Sequence, residues 1–108
     1  MSSLEQYDAA MELRREGKET ECRDALLKVV ADDADFALAY NALAAIYKKE
    51  NKPDEAVANM QKYCELQPDD FFGYSVLSAF CVSAGKHAEA EEALGKAHEL
   101  RFKAQFGS

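Results

Sequence analysis

A spacing of 34 residues constrains this chain more than any other feature. Sliding the sequence by that amount lays Tyr40 on Tyr74, Leu43 on Leu77, Ala56 on Ala90, Met60 on Leu94 and Leu66 on Leu100. Sliding it the other way lays Ala44 on Ala10, Tyr47 on Leu13, Met60 on Leu26 and Tyr63 on Val29. Three units follow, at about 3–36, 37–70 and 71–104, with a short tail at 105–108. Self-similarity at a period of this size marks stacked supersecondary units, none of which can bury its apolar face alone.

The middle unit shows what is repeated. Tyr40, Leu43, Ala44 and Tyr47 fall at i, i+3, i+4 and i+7, one face of an α-helix. Asn51-Lys52-Pro53-Asp54 interrupts the stripe. Asn and Asp there read as helix N-caps, and proline is tolerated only in a first helical turn. A second stripe of Ala56, Val57, Met60, Tyr63, Cys64 and Leu66 stops at Gln67-Pro68, since proline cannot continue a helix. Unit one repeats the pattern more loosely, with helices over Leu4 to Glu16 and Glu19 to Ala31 and a turn at Gly17. Unit three turns at Gly85-Lys86-His87 and carries Phe102 where unit two has Pro68, so its second helix is expected to run on toward Phe106. The acidic runs Asp32, Asp33, Asp35 and Asp69, Asp70 read as caps and dipole partners of the helices that follow. Ala10, Ala44 and Ser78 are expected at one close helix crossing, and Cys22, Ala56 and Ala90 at the other.

The middle unit resembles the tetratricopeptide repeat family. It has an aromatic at Tyr40, then Leu43, a small residue at Ala44, Tyr47, Ala56, a large apolar Met60, Tyr63 and Pro68. The resemblance implies an all-α fold, an α-solenoid of three helix-turn-helix units in one domain over residues 1–108. It also implies a right-handed superhelix with a concave groove, lined by the first helix of each unit and receiving a peptide or helix of a partner. The matching inward positions are Leu4, Tyr7, Met11 and Arg14 in unit one, Leu38, Asn41, Ala45 and Lys48 in unit two, and Phe72, Ser75, Ala79 and Val82 in unit three. They read as lying off the stacking stripe and as forming a mostly apolar channel. Arg14, Arg15, Lys48 and Lys49 make a basic edge suited to an amphipathic, acidic segment. Some members of the family hold the C-terminal carboxylate of chaperones in a clamp of lysine, asparagine and arginine. The matching positions here carry Tyr7, Met11, Ala42, Phe72 and Val76, so the resemblance does not extend to that clamp.

Composition narrows the partners. A net charge of −7 argues against a sequence-independent grip on nucleic acid and against docking on an anionic membrane. No apolar run approaches the length of a transmembrane helix, and the start lacks the regions of a signal peptide. The expectation is a cytosolic protein or a piece of a longer chain. Cys22, Cys64 and Cys81 are odd in number and include no CxxC pair, so they read as small core residues. His87 and His98 lie about 16 Å apart along one helix, too far to share a metal, and read as solvent-facing. No Gly-rich phosphate loop, HExxH or serine elbow is present. The reading is a non-enzymatic protein-interaction module, a scaffold or adaptor without a cofactor. The alternative is a self-assembly module, a homodimer formed through an uncovered C-terminal face of Leu94, Leu100, Phe102 and Phe106.

Overall fold

Six helices follow one another in the computed structural model, which describes residues 1–107. They are α1 (Ser3–Arg15), α2 (Glu19–Asp32), α3 (Ala37–Lys49), α4 (Pro53–Leu66), α5 (Phe71–Ser83) and α6 (His87–Phe106). Each odd-numbered helix ends in the same turn. Gly17, Asn51 and Gly85 stand there at φ of +80°, +61° and +75°. The next residue in each case, Lys18, Lys52 or Lys86, donates its N–H to the carbonyl of Leu13, Tyr47 or Cys81 at 2.9, 2.9 and 2.8 Å. A left-handed residue is what this helix ending requires, and glycine or asparagine supplies it at least cost. Asn51 therefore closes α3 and does not cap α4, contrary to the sequence reading. The N-cap of α4 is Lys52, with no side-chain bond, and Pro53 opens the helix as expected.

The small residues expected at the helix crossings are all buried. Ala10, Cys22, Ala44 and Ala56 are fully buried, and Ser78 and Ala90 nearly so. The Ser78 hydroxyl donates to the Ala90 carbonyl at 2.9 Å, so these two positions face each other across the α5–α6 pair and share one crossing, contrary to the sequence reading, which put them at two. Paired helices approach within about 8–10 Å only where such side chains are short. The larger apolar residues fill the flanks in two clusters. One joins Ala10, Cys22, Leu26 and Val29 to Ala39, Ala42, Leu43 and Ile46. The other joins Ala44, Val57, Met60 and Cys64 to Leu77, Cys81, Ala90 and Ala93. Helix α3 thus contributes to both, and it is the element on which the two halves are built.

Polar contacts fix the register between units. The Arg23 guanidinium reaches both carboxylate oxygens of Glu50 at 3.1 and 3.0 Å, tying α2 to the end of α3. The Tyr40 hydroxyl donates to the Ala34 carbonyl at 2.8 Å. The acidic run before α3 does not cap it, because the N-cap is Phe36 without a side-chain bond. Asp33 instead accepts the Ser3 hydroxyl at 2.7 Å and the Asp35 N–H at 3.3 Å, joining the start of α1 to the end of α2. Only Asp70 caps as read, accepting the Gly73 N–H at 3.2 Å.

All three cysteines are buried free thiols. Burial pushes each thiol up, Cys64 to about 11, so they are neutral core residues at physiological pH. His87 and His98 face solvent. Helix α6 is 20 residues long against 14 for α2 and α4. It keeps Leu94, Phe102 and Phe106 at 43, 62 and 71 % exposure. Leu100 departs from the expected exposed face. It continues the inward row of Ala90, Ala93 and Ala97 and is 9 % exposed.

The crossing gives a direct test. Ala56→Leu is expected to overpack the site and to lower the unfolding free energy by about 1–3 kcal/mol in chemical denaturation. An unchanged midpoint would contradict the close approach of α3 and α4.

Candidate partner-binding face

The first helix of each pair turns one apolar side chain to water at the same register. Leu4 on α1, Leu38 on α3 and Phe72 on α5 are 53, 46 and 70 % exposed. Each stands one position after the first residue of its helix. Around this row Asn41, Lys48, Ser75, Ala79 and Val82 are also exposed, while Ala45 and Arg14 are half-buried.

Two of the inward positions do more than face outward. Tyr7 and Met11 are half-buried and pack on the first core cluster. The Tyr7 ring lies 5.6 Å from that of Phe36, tilted at 51°. The expectation that they stand clear of the stacking therefore fails. Phe36, placed just before α3, folds back over α1, and the helical spacing of residues 4, 7 and 11 gives no sign of it. The basic edge is also reduced. Arg15 is paired with Glu12, and Lys49 reaches Glu19 at 2.6 Å. Arg14 and Lys48 make no ion pair among the described residues and remain as its cations.

The placement of Phe72 rests on a contact that local spacing does not reveal. The Tyr63 hydroxyl donates to one Asp70 carboxylate oxygen at 2.6 Å, and the other oxygen accepts the Gly73 N–H at 3.2 Å. A Cβ on Gly73 would come within 2.9 Å of the Tyr63 ring, so glycine is what lets the ring lie against the start of α5. The network fixes the first turn of α5 and with it the direction of Phe72. The hydrogen bond to Asp70 is the main reason the Tyr63 phenol is pushed up to about 12, with burial adding to it.

A cleft of about 670 Å³ lies elsewhere, between α4, α5 and α6. Its floor is Tyr74, Leu77 and Cys81 and its rim carries Glu89, Glu92 and Glu99. It shares no residue with the exposed row. Among the described residues no three His, Cys, Asp or Glu side chains gather as a metal site would need. No helix among them is long and apolar enough to cross a membrane.

Three sequential helix pairs, joined by identical turns and packed through small-residue crossings, define an α-helical repeat protein. Residues 37–70 match the tetratricopeptide repeat family, and the six helices are consistent with three units of that repeat. Solved structures agree on the fold. The crystal structure of MamA is 22 % identical at a TM-score of 0.86, over 96 % of this chain and 61 % of its own. MamA from Desulfovibrio magneticus RS-1, from residue 41 onward, is 24 % identical at 0.79, over 95 % and 57 %. The second repeat domain of Spaghetti (RPAP3), bound to the HSP90 peptide SRMEEVD, is 20 % identical at 0.78, over 91 % of both chains. The Yersinia enterocolitica type III secretion translocator chaperone SycD, in an alternative dimer, is 18 % identical at 0.78, over 97 % and 78 %. This chain spans about three fifths of the MamA chains it matches. No curated protein matches it by sequence.

The Tyr63 contact carries a pH dependence. A phenol whose pKa is raised in the folded state stabilises that state below its ordinary value of 10.0 and loses the contribution as pH climbs toward about 12. Denaturation midpoints are therefore expected to fall more steeply with alkaline pH in the wild type than in Tyr63→Phe. Parallel profiles would contradict the Tyr63–Asp70 bond.

Proposed function

We propose that this chain is a non-catalytic interaction module that binds a segment of a partner protein across the face formed by α1, α3 and α5. One observation carries the reading. Leu4, Leu38 and Phe72 occupy one register position in three successive units and all stand in water. Neither core cluster includes any of the three. An aligned row of exposed large apolar side chains, bordered by polar groups, suits an interface better than bare solvent does. Phe72, the largest and most exposed, is the anchor. Asn41 offers an amide that can bond a peptide backbone through both ends. Arg14 and Lys48 favour a segment with acidic residues on one side. The partner is an amphipathic helix or extended peptide.

The ligand class differs from that of the RPAP3 repeat domain. SRMEEVD is acidic and ends in a carboxylate, and cations suit such groups. In this chain the five positions that match the family's carboxylate clamp are Tyr7, Met11, Ala42, Phe72 and Val76. Ala42 is buried and Val76 packs on the second core cluster. The row therefore offers apolar contact where a carboxylate would need charge.

The test is a random peptide-display selection on the wild type, followed by binding to Asn41→Ala/Phe72→Glu. Both positions are exposed, so the fold is expected to hold. Met11 is avoided because a charge there would sit against the core. Selected peptides are expected to bind the wild type and to lose tenfold or more, of the order of a removed hot spot, on the variant. Equal binding to both would sink the assignment of this face.

A further inference from the structure

The two ends of the stack are built differently. At the positions where α3 presents Ala39, Ala42 and Ile46 to the preceding pair, α5 presents Gly73, Val76 and Phe80. The same register on α1 carries Glu5, Asp8 and Glu12, all exposed. Three carboxylates close that end against another apolar helix. At the other end Leu94, Phe102 and Phe106 are exposed along α6, the two phenylalanine rings lying 4.7 Å apart. Leu94, but neither phenylalanine, also lines a pocket of about 220 Å³ with Ser78, Val82, His87, Ala90 and Glu91.

We propose that α6 pairs antiparallel with the α6 of a second copy, about a two-fold axis near Gly95. Three features of α6 point to this occupant. Its charge is divided: Glu89, Glu91 and Glu92 lie in the first half, and Lys96, Arg101 and Lys103 in the second, with Glu99 held by Lys103 at 3.1 Å. Only an antiparallel copy sets the acidic half of each helix against the basic half of the other. Gly95 sits in mid-helix, where glycine is unfavourable, and a Cβ there would meet nothing within 4 Å. No contact within the chain requires it, whereas a close crossing of two helices does. An axis at that point also matches the surface to itself. It brings the second copy's Phe102 over Ala90 and Glu91, at the mouth of the pocket, and its Arg101 beside Glu91. The same contact recurs on the other side, as a two-fold interface demands. Head-to-tail stacking is disfavoured, because the carboxylates of α1 would have to enter the apolar end.

Light scattering and sedimentation decide the matter. The wild type is expected at twice the 12.0 kDa of one chain. Glu91→Arg and Arg101→Glu each place like charges together twice in the dimer. Each is expected to weaken it by tenfold or more, and the double swap to restore it. Phe102→Ser/Phe106→Ser, which leaves the charges alone, is expected to give monomers with unchanged helical content. A wild-type monomer at the highest attainable concentration overturns the proposal. So does a dimer indifferent to the single swaps, or one that the double swap fails to restore.

Discussion

The burial of small residues on the paired helices, Ala10 and Cys22, Ala44 and Ala56, Ser78 and Ala90, is the constraint on which the rest depends. A helix of 13 or 14 residues is marginal in water by itself, so its stability comes from packing its apolar stripe. Short side chains at the crossing let Leu26, Leu43 and Met60 meet neighbours on both sides without strain. Ser78 shows how narrow the requirement is. A hydroxyl is tolerated there because the facing carbonyl of Ala90 accepts it, so no buried polar group is left unpaired.

Stacking then separates two kinds of surface on every first helix. On α3 one side is filled by the preceding pair through Ala39, Ala42 and Ile46, and another meets α4 through Ala44. What remains is the strip carrying Leu38, Asn41 and Lys48, whose identity the fold barely restricts. The Tyr63–Asp70–Gly73 contact repeats the principle in smaller form. A part-buried hydrogen bond orders the start of α5 and, by doing so, orients an exposed phenylalanine that takes no part in it.

Much of this architecture is legible in the amino-acid sequence. The 34-residue spacing locates each helix and the small residues that become buried, because packing faces repeat when units do, and Phe102 in the place of Pro68 announces the long final helix. Contacts that depend on how the chain returns on itself were hidden. Phe36 over Tyr7 joins residues of different units, and Asp33 serves Ser3 rather than the helix after it. Leu100 faces inward although its place in the pattern suits the exposed face, because the pattern alone does not say which side of α6 is covered. Asn51 is ambiguous in sequence because asparagine suits both an N-cap and a left-handed helix end, and only φ separates the two. The exposed row was identifiable in outline from the family resemblance. That Tyr7 and Met11 belong partly to the core was not.

The central claim is that Leu4, Leu38 and Phe72 are free of structural duty. The direct measurement is chemical denaturation of the triple variant Leu4→Ser/Leu38→Ser/Phe72→Ser beside the wild type. Surface positions without such duty change stability by about 0.5 kcal/mol or less each, so the predicted total loss for the three is no more than about 1.5 kcal/mol. A loss of several kcal/mol, of the size that buried leucine or phenylalanine truncations produce, would show the row to be core and would contradict the account.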